Sequence, residues 1–324
     1  TSKVHIITHV NPAHDSFDNG ISKLNLIEKN IRQTFDYPSI KSENIKSEDF
    51  ISSFGKENFV NAVNKVQKYI AAGDVMQVVP SQRLQCSFKS NPVELYRQLR
   101  ILNPSPYMFL LNLDDFQILG ASPELLVKSS NKQLSVHPIA GTRPRGVDSE
   151  EDEKIANELI NDEKELAEHL MLLDLGRNDV GRVSMPGSVN VNQKMEIEKY
   201  SHIMHIVSNV TGTLKDELDE FDALRAAFPA GTVSGAPKVR AMQLISELEP
   251  EKRGPYSGGV GYFSYNGNMD TCIAIRTLVL KDETVYIQAG GGIVADSKVE
   301  NEYEETLNKM MALIRSVDEA ERNL

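Results

Sequence analysis

Short apolar segments that follow one another with only a few turn-forming residues between them constrain this chain more than any other feature. Four of them occupy residues 107–113, 117–120, 125–128 and 134–139. Three more occupy residues 258–265, 270–280 and 284–289. The connections within each group are too short to contain a helix, so we expect neighbouring strands to pair antiparallel.

Apolar residues at helical spacing predict several helices around these strands. The predicted helices cover residues 57–72, 150–175, 215–228, 237–248 and 299–317. The second carries a core-facing stripe, made of Ile155, Leu159, Leu166, Leu170 and Leu173. Further strands are expected at 75–79 and 203–211. The pattern predicts one large α+β domain, with antiparallel sheets and helices at its periphery.

The first fifty residues differ in character from the rest. We expect a short strand at 4–10, a polar helix at 19–34 and a Ser/Lys/Glu-rich linker at 37–49. This places a domain boundary near residue 52, with an N-terminal remnant at 1–52 and the main domain at 53–322. The chain begins with Thr1 rather than Met, so we expect it to be a piece of a longer protein.

Charge and cysteine content narrow the class of protein. With 35 Lys and Arg against 46 Asp and Glu, the 324 residues carry a net charge of −11, which argues against nucleic acid as the main partner. No apolar run approaches the roughly 20 residues that span a bilayer, and the start lacks a signal peptide. Cys86 and Cys272 form neither a disulfide framework nor a zinc motif. We therefore expect a cytoplasmic protein.

Two predicted helices each present a pair of carboxylates three residues apart. Glu165 and Glu168 lie on the predicted helix at 150–175, and Glu302 and Glu305 lie on the one at 299–317. Such pairs could hold Mg²⁺, which prefers oxygen ligands. The alternative is a solvated charged face, as acidic pairs on a helix usually form.

Glycine-rich segments offer further candidate binding elements. Gly290, Gly291 and Gly292 follow a strand without opening a helix, so they either let the backbone bend around a ligand or form a bulge. Residues 231–238 resemble a phosphate loop but lack its Gly-Lys-Ser/Thr ending, and they fit a helix start better.

Basic side chains complete the set of candidates. Arg143 and Arg145, in a turn, could bind an anion or be solvated. His202 and His205 alternate along a predicted strand and should face opposite sides, so that His205 is either a lone catalytic residue or a structural one. Arg276 is the only charge in an apolar strand, where burial would require an anionic partner.

Seven segments, taken together in this order, resemble the chorismate-utilising enzymes, and within them the large synthase component of the anthranilate synthases. They are GDVMQVVPSQR at 73–83, NPSPYM at 103–108, GASPE at 120–124, PIAGTRPR at 138–145, ELAEHLMLLDLGRND at 165–179, residues 231–242, and QAGGG at 288–292. The resemblance runs from about residue 59 to 314. It implies two stacked antiparallel sheets forming a sandwich, with helices on the outside.

The resemblance also implies a substrate site and a cofactor. Glu168 and Glu305 would bind Mg²⁺, with Glu165 and Glu302 close by, and the metal would hold the ring carboxylate of chorismate. The residues that would complete the site are Gly141, Thr142, Tyr256, Arg276, Gly290, Gly291 and Gly292. Arg276 would pair with the enolpyruvyl carboxylate of the substrate.

The catalytic residues implied by the resemblance are Glu124, His205, Gln77 and Thr232. Glu124 matches the general acid that protonates the departing C4 hydroxyl while ammonia adds at C2, so we expect its pKa to be raised. His205 matches the position linked to removal of the C2 proton with loss of pyruvate. Together they imply a Mg²⁺-dependent lyase that converts chorismate and ammonia to anthranilate and pyruvate.

Two positions favour this reaction over others in the family. Gln77 stands where isochorismate and salicylate synthases carry a Lys that activates water. Ala140 stands where many aminodeoxychorismate synthases carry a Lys that attacks the substrate. The alternatives are an aminodeoxychorismate or 2-amino-2-deoxyisochorismate synthase, or a catalytically silent scaffold that docks an amidotransferase.

Partners and regulation also follow from the resemblance. Neither cysteine lies in a glutaminase-like elbow, so a separate glutamine amidotransferase subunit is expected to supply ammonia, giving a hetero-oligomer. Family members of the anthranilate type are often inhibited by tryptophan through an N-terminal Leu-Leu-Glu-Ser motif together with the segment at 103–108. The first motif is absent here, so Pro106, Tyr107 and Met108 would be a remnant of that site.

Overall fold

The computed structural model describes residues 4–33, 49–200 and 203–322, which fall into two compact units. Residues 4–33 belong to the first unit and contain helix α1 (Phe17–Ile31), where the Ser16 hydroxyl accepts a hydrogen bond from the Asn19 amide. The predicted strand at 4–10 is wrong, since these residues form neither helix nor strand. The predicted linker lies outside the described residues, apart from Asp49.

The second unit contains the remaining described residues. Its strands are β1 (Ile51–Ser52), β2 (Gln77–Val78), β3 (Ser81–Ser87), β4 (Tyr107–Asn112), β5 (Gln117–Ser122), β6 (Leu125–Ser130), β7 (Gln133–Val136), β8 (Ile139–Pro144), β9 (Asn190–Lys199), β10 (Ile203–Thr213), β11 (Gly235–Ala236), β12 (Gly259–Phe263), β13 (Met269–Ile273), β14 (Thr277–Lys281) and β15 (Thr284–Gly290). Its helices are α2 (Lys56–Ala71), α3 (Pro92–Leu102), α4 (Ser149–Ile160), α5 (Glu163–Val183), α6 (Glu220–Ala227), α7 (Lys238–Leu248) and α8 (Val299–Arg322).

Two antiparallel sheets organise this unit. One has six strands in the order β1-β3-β15-β14-β5-β4, and the other has seven, with β12-β13-β6-β7-β10-β8 in sequence and β9 paired with β10. The short strands β2 and β11 pair separately. The predicted α+β fold, with two stacked antiparallel sheets and outer helices, is confirmed.

Each large sheet packs against its own helices. Leu95 and Leu99 of α3 and Met310 of α8 are buried against the six-stranded sheet. Leu173 of α5 and Ala223 of α6 are buried against the seven-stranded sheet. Burial of these apolar side chains is the main stabilising contribution. Among the described residues, no helix combines the length and apolar character needed to span a membrane.

The predicted helix at 150–175 is two helices in the structure. α4 ends at Ile160, and α5 starts anew because the Asp162 carboxylate accepts hydrogen bonds from the Lys164 and Glu165 amides. One residue of the expected core stripe is not buried, since Leu170 is 46% exposed. Helix α3 and strand β3 were not predicted, and β3 buries the polar Ser81 and Gln82, which obscure its apolar pattern.

The chain crosses between the two sheets at two places that lie side by side. Residues 123–124 connect β5 of the first sheet to β6 of the second, and residues 274–276 connect β13 of the second to β14 of the first. The predicted single strand at 270–280 is therefore wrong, because Arg276 takes a positive φ of 50° and interrupts it. The Ile273 amide donates to the Glu124 carbonyl (3.0 Å), and the Ala121 amide donates to the Arg276 carbonyl (3.0 Å). This pairing brings Glu124 and Arg276 to one place.

Candidate active site

Carboxylates from two helices meet the glycine-rich end of β15. The Glu302 Oε2 atom of α8 lies 3.3 Å from the position that a β-carbon on Gly291 would occupy, and Glu305 Oε1 lies 3.9 Å from the same point. From α5, Glu168 accepts a hydrogen bond from the Gln77 amide at 3.2 Å. Burial raises the pKa of Glu168, and the nearby carboxylates of Glu165 and Glu305 raise it further. Electrostatic contacts thus link Glu168 to Glu165 and Glu305, and Glu302 to Glu305. That the four glutamates share one metal site stays a prediction.

The three glycines let this site close tightly. A β-carbon on Gly290 would lie 2.7 Å from the Pro80 carbonyl, and one on Gly292 would lie 2.5 Å from the Gln77 amide nitrogen. Both distances are shorter than carbon contacts allow, so the backbone approaches its neighbours only because side chains are missing. The run therefore packs closely against Pro80 and Gln77 of the same chain, and its bending around a ligand stays a prediction.

The glutamates fit a hard divalent cation by their chemistry. Glu302 Oε2 is buried and has no hydrogen-bond partner among the described residues, and burial raises the pKa of its carboxyl group. Glu165 is less free, since Arg143 Nη1 donates to its Oε1 at 3.0 Å. No group of three or more His, Cys, Asp or Glu side chains in the described ranges forms a ready-made metal cluster. The oxygen donors of Glu168, Glu302 and Glu305 are nonetheless the type that Mg²⁺ prefers.

Glu124 is a carboxyl group whose pKa is raised toward neutrality. It lies at the first crossing between the sheets, where Thr232 Oγ1 donates to its Oε1 at 2.8 Å. Burial raises the pKa of Glu124 to about 7, although the hydrogen bond from Thr232 and the charges of Lys309 and Arg276 lower it. A cavity of about 50 Å³ opens beside this pair and is also lined by His137. Such a carboxyl group can donate a proton at neutral pH.

His205 has one ring nitrogen committed to the backbone and the other available. Its Nδ1 atom lies 3.0 Å from the Gly141 carbonyl oxygen and 3.0 Å from Thr142 Oγ1. Because a carbonyl only accepts, we assign the ring hydrogen to Nδ1, which leaves Nε2 with a lone pair. Burial lowers the pKa of His205, and the ring edge packs on Tyr200 at 5.7 Å between centroids. The side chain is therefore a neutral base at pH 7; His202 lies outside the described residues.

Gly141 positions the carbonyl that orients His205. It has a positive φ of 64°, and a β-carbon there would lie 3.1 Å from Glu165 Oε2. In the pairing of β8 with β10, Thr142 stands opposite His205, and the register shifts directly after this pair. The irregular strand thus aims the Gly141 carbonyl and the Thr142 hydroxyl at the imidazole.

Arg276 lies at the second crossing, with Tyr256 near it. The guanidinium donates from Nη1 to the Lys309 carbonyl at 3.3 Å. Burial lowers the pKa of Arg276, while Tyr256, Glu124 and Glu305 raise it. Among the described residues, no carboxylate forms a salt bridge with the Arg276 guanidinium. Its charge therefore remains available to an anionic ligand.

The turn arginines were assigned an alternative role as anion binders, and the structure gives them internal partners instead. Arg143 donates to Asp162 Oδ2 at 3.1 Å as well as to Glu165. Arg145 forms two hydrogen bonds with the buried carboxylate of Asp152, at 2.7 and 2.9 Å. Both guanidinium groups therefore stabilise the turn at the end of β8.

Sequence reasoning missed Lys309, which the structure places within the site. Its ammonium group donates to the Gly290 carbonyl at 3.1 Å and forms a salt bridge with Glu305. The available signal was its spacing, because Lys309 follows Glu305 by four residues and so shares its helix face.

The residues expected as a remnant of a tryptophan site lie at the edge strand β4. Tyr107 and Met108 belong to this strand, and Pro106 precedes it. The Tyr107 hydroxyl donates a hydrogen bond to Asp270 at 3.0 Å.

Comparison with known proteins identifies the family of this chain. The family model of the chorismate binding enzymes matches residues 6–315. The chain is 52% identical to anthranilate synthase component 1 of Pseudomonas putida, over 99% of this chain and 66% of the relative. It is 60% identical to the corresponding protein of Cereibacter sphaeroides, over 83% of this chain and 54% of the relative.

A solved structure gives the same result. Anthranilate synthase component I from Streptococcus pneumoniae superimposes with a TM-score of 0.88 at 43% identity, covering 97% of this chain and 70% of that one. The chain spans 66% of the Pseudomonas putida relative and of the corresponding Pseudomonas aeruginosa protein, slightly less than two thirds of each. The family match extends over nearly the whole sequence, and we conclude that this chain belongs to the chorismate binding enzymes.

Proposed function

We propose that the chain is the synthase component of an anthranilate synthase, a lyase that converts chorismate and ammonia to anthranilate, pyruvate and water. The observation that carries the proposal is the combination of a protonated acid and a neutral base in one site. Glu124 has a pKa of about 7, and burial keeps His205 neutral. Arg276 is electrostatically coupled to both.

In the first step, ammonia adds at C2 of the ring and the C4 hydroxyl leaves. The Glu124 carboxyl group gives its proton to the departing oxygen, so that water rather than hydroxide is released. The Thr232 hydroxyl holds the carboxyl group in place and stabilises the carboxylate that remains. Arg276 binds the enolpyruvyl carboxylate and fixes the orientation of the ring.

In the second step, the aminated intermediate loses its C2 proton and the enolpyruvyl group. The Nε2 atom of His205 takes the proton, while the hydrogen bond from Nδ1 to the Gly141 carbonyl stabilises the imidazolium that forms. The bond between the ring and the enolpyruvyl oxygen then breaks, and its electron pair leaves with the oxygen. The released enolpyruvate takes up a proton from the imidazolium or from water and becomes pyruvate, and the ring that remains is aromatic. When bound, Mg²⁺ supplies positive charge to the ring carboxylate, and Glu168, Glu302 and Glu305 are the residues that would hold it.

Gln77 supports amination over hydration. Its amide donates to Glu168, and a carboxamide cannot act as the base that a water nucleophile needs. Ala140 likewise offers no nucleophile. Ammonia itself requires no base, because it has a free lone pair in its neutral form.

The source of ammonia is a second part of the proposal. Burial raises the pKa of Cys86 to about 12 and that of Cys272 to about 11, so neither thiol is a nucleophile near neutral pH. The relatives are named as component 1, in keeping with a separate partner component. We propose a glutamine amidotransferase as that partner, in a cytoplasmic hetero-oligomer.

We also propose a remnant of a tryptophan-binding site, made of Pro106, Tyr107 and Met108.

The direct test is to incubate the purified chain with chorismate, Mg²⁺ and ammonium, and to follow anthranilate fluorescence together with pyruvate. We expect both products to appear in equal amounts and to be abolished by EDTA. Formation of 4-aminobenzoate, or of an aminated compound without pyruvate, would instead identify a different chorismate-aminating enzyme. Absence of Mg²⁺-dependent chorismate binding would favour the silent scaffold.

Removing single carboxylates tests the proposed metal site. We expect Glu168→Gln and Glu305→Gln each to weaken Mg²⁺ binding by at least about tenfold, because each removes a charged oxygen donor. Glu163→Gln, at an exposed position in the first turn of the same helix as Glu168, is the matched control and should bind Mg²⁺ normally. Calorimetric titration with MgCl₂ in the presence of chorismate gives the affinities. Unchanged affinity in both site variants would refute this assignment.

A further inference from the structure

Arg253 carries a buried charge that the reaction outlined above does not use. Its side chain is 15% exposed, and that of its partner Glu249 is 5% exposed. The guanidinium donates to both oxygens of this carboxylate, from Nη2 to Oε1 at 2.6 Å and from Nε to Oε2 at 2.9 Å. This bidentate pair fixes the plane of the guanidinium group and neutralises its charge without a ligand.

The outer N–H groups of Arg253 reach the backbone of two segments of the site. Nη1 donates to the Val233 carbonyl at 2.6 Å, and Nη2 donates to the Val79 carbonyl at 2.7 Å. Val233 directly follows Thr232 in a single 3-10 turn, and Val79 follows the short strand that carries Gln77. One side chain therefore ties the turn that presents Thr232 to the strand that presents Gln77.

The same network extends to the other side of the site. Glu249 Oε1 accepts hydrogen bonds from both the amide and the hydroxyl of Ser81, each at 2.8 Å. Gln288, on the strand that leads into the three glycines, donates to the Ser81 hydroxyl at 2.8 Å. The Arg253 guanidinium also lies 5.4 Å from the ring centroid of Tyr256. The pair thus contacts Ser81 and, through it, Gln288, and it lies beside Tyr256.

We propose that Arg253, oriented by Glu249, is a positioning residue that holds the Thr232 hydroxyl against Glu124 and the Tyr256 ring beside the substrate. A lysine would retain the charge, but its ammonium group lacks the planar fork that reaches a carboxylate and two carbonyls at once. The consequence for turnover rests on the proposed function. The positioning of Thr232 is a property of the chain alone and can be measured without substrate.

The test is Arg253→Lys, read out by the titration of Glu124. The chain is labelled with glutamate carrying ¹³C in its carboxyl group, and the Glu124 signal is identified by its loss in Glu124→Gln. Because the hydrogen bond from Thr232 favours the carboxylate, its weakening should move the titration midpoint upward by about 0.5 pH unit. Thr232→Val should shift the midpoint in the same direction, and the double variant should shift it no further.

The matched control is Arg97→Lys, which makes the same substitution in an ion pair with Glu94 on helix α3. We expect it to leave the Glu124 midpoint unchanged. An unchanged midpoint in Arg253→Lys while Thr232→Val shifts it, or additive shifts in the double variant, would overturn the proposal. If Arg253→Lys does not fold by circular dichroism, Glu249→Gln takes its place, with an upward shift expected and an unchanged midpoint again overturning the proposal.

Turnover gives the second readout. In Arg253→Lys we expect kcat for anthranilate formation to fall by about tenfold, with KM for chorismate within about threefold of the parent value. A purely structural role would lower the amount of active protein without moving the Glu124 midpoint. If the parent chain makes no anthranilate, the proposed function fails, whereas the titration still decides whether Arg253 positions Thr232.

Discussion

Replacement of Glu124 by Gln is expected to lower kcat for anthranilate formation by about 10²- to 10⁴-fold, which is the usual contribution of a positioned general acid. The amide occupies nearly the same volume and its oxygen still accepts the hydrogen bond from Thr232, but its N–H groups are too weakly acidic to give a proton to the C4 oxygen. Chorismate binding should change little, because Arg276 and the proposed metal site are unaltered. Steady-state kinetics and calorimetry of chorismate binding separate the two effects.

The pH dependence provides a sharper form of this prediction. Burial raises the pKa of Glu124 to about 7, so the acid is protonated below that pH and is progressively lost above it. We therefore expect kcat/KM to decline above the Glu124 pKa, and this alkaline limb to disappear in Glu124→Gln. Glu150→Gln, an exposed residue at the start of α4, should retain both the rate and the limb. A full rate in Glu124→Gln would exclude Glu124 as the acid.

Local sequence patterns were sufficient for the elements that carry the carboxylates. Glu165 and Glu168 share a face because of their spacing, as do Glu302 and Glu305. The helix that presents the second pair was predicted, and the first pair was predicted to be helical, although within one helix at 150–175 rather than in α5. The antiparallel pairing of β4 with β5 and of β6 with β7 followed from the short connections within each pair. The equally short connection between β5 and β6 does not join paired strands, because these two strands lie in different sheets. These features depend on interactions between residues close in the chain, which is why periodicity reveals them.

The elements that bring the site together depend on contacts between residues far apart in the chain. Arg276 was predicted to lie within one long strand, but its positive φ breaks that strand and sends the chain into the other sheet. No apolar pattern reports such a dihedral angle. The sequence leaves Arg143 and Arg145 either as anion binders or as solvated turn residues, and only the fold reveals the carboxylates of Asp162 and Asp152 that pair with them.

Replacement of His205 by Asn is expected to separate the two chemical steps. The Asn amide nitrogen occupies roughly the place of Nδ1 and can still donate to the Gly141 carbonyl, but nothing replaces the Nε2 lone pair. Chorismate should still be aminated, because that step uses Glu124. Pyruvate release should fall by about 10²-fold or more, and the aminated intermediate should accumulate.

Chorismate consumption and pyruvate release, measured in the same reaction, decide whether His205 acts as the base. Burial lowers the pKa of His205, so at neutral pH the parent imidazole is already in its basic form, and the second step should slow when acidic pH protonates the imidazole. In His205→Asn this acid limb should be absent. His14→Asn, at an exposed position in the first unit, controls for loss of an imidazole elsewhere. Pyruvate release that keeps pace with chorismate consumption in His205→Asn would mean that another group removes the C2 proton.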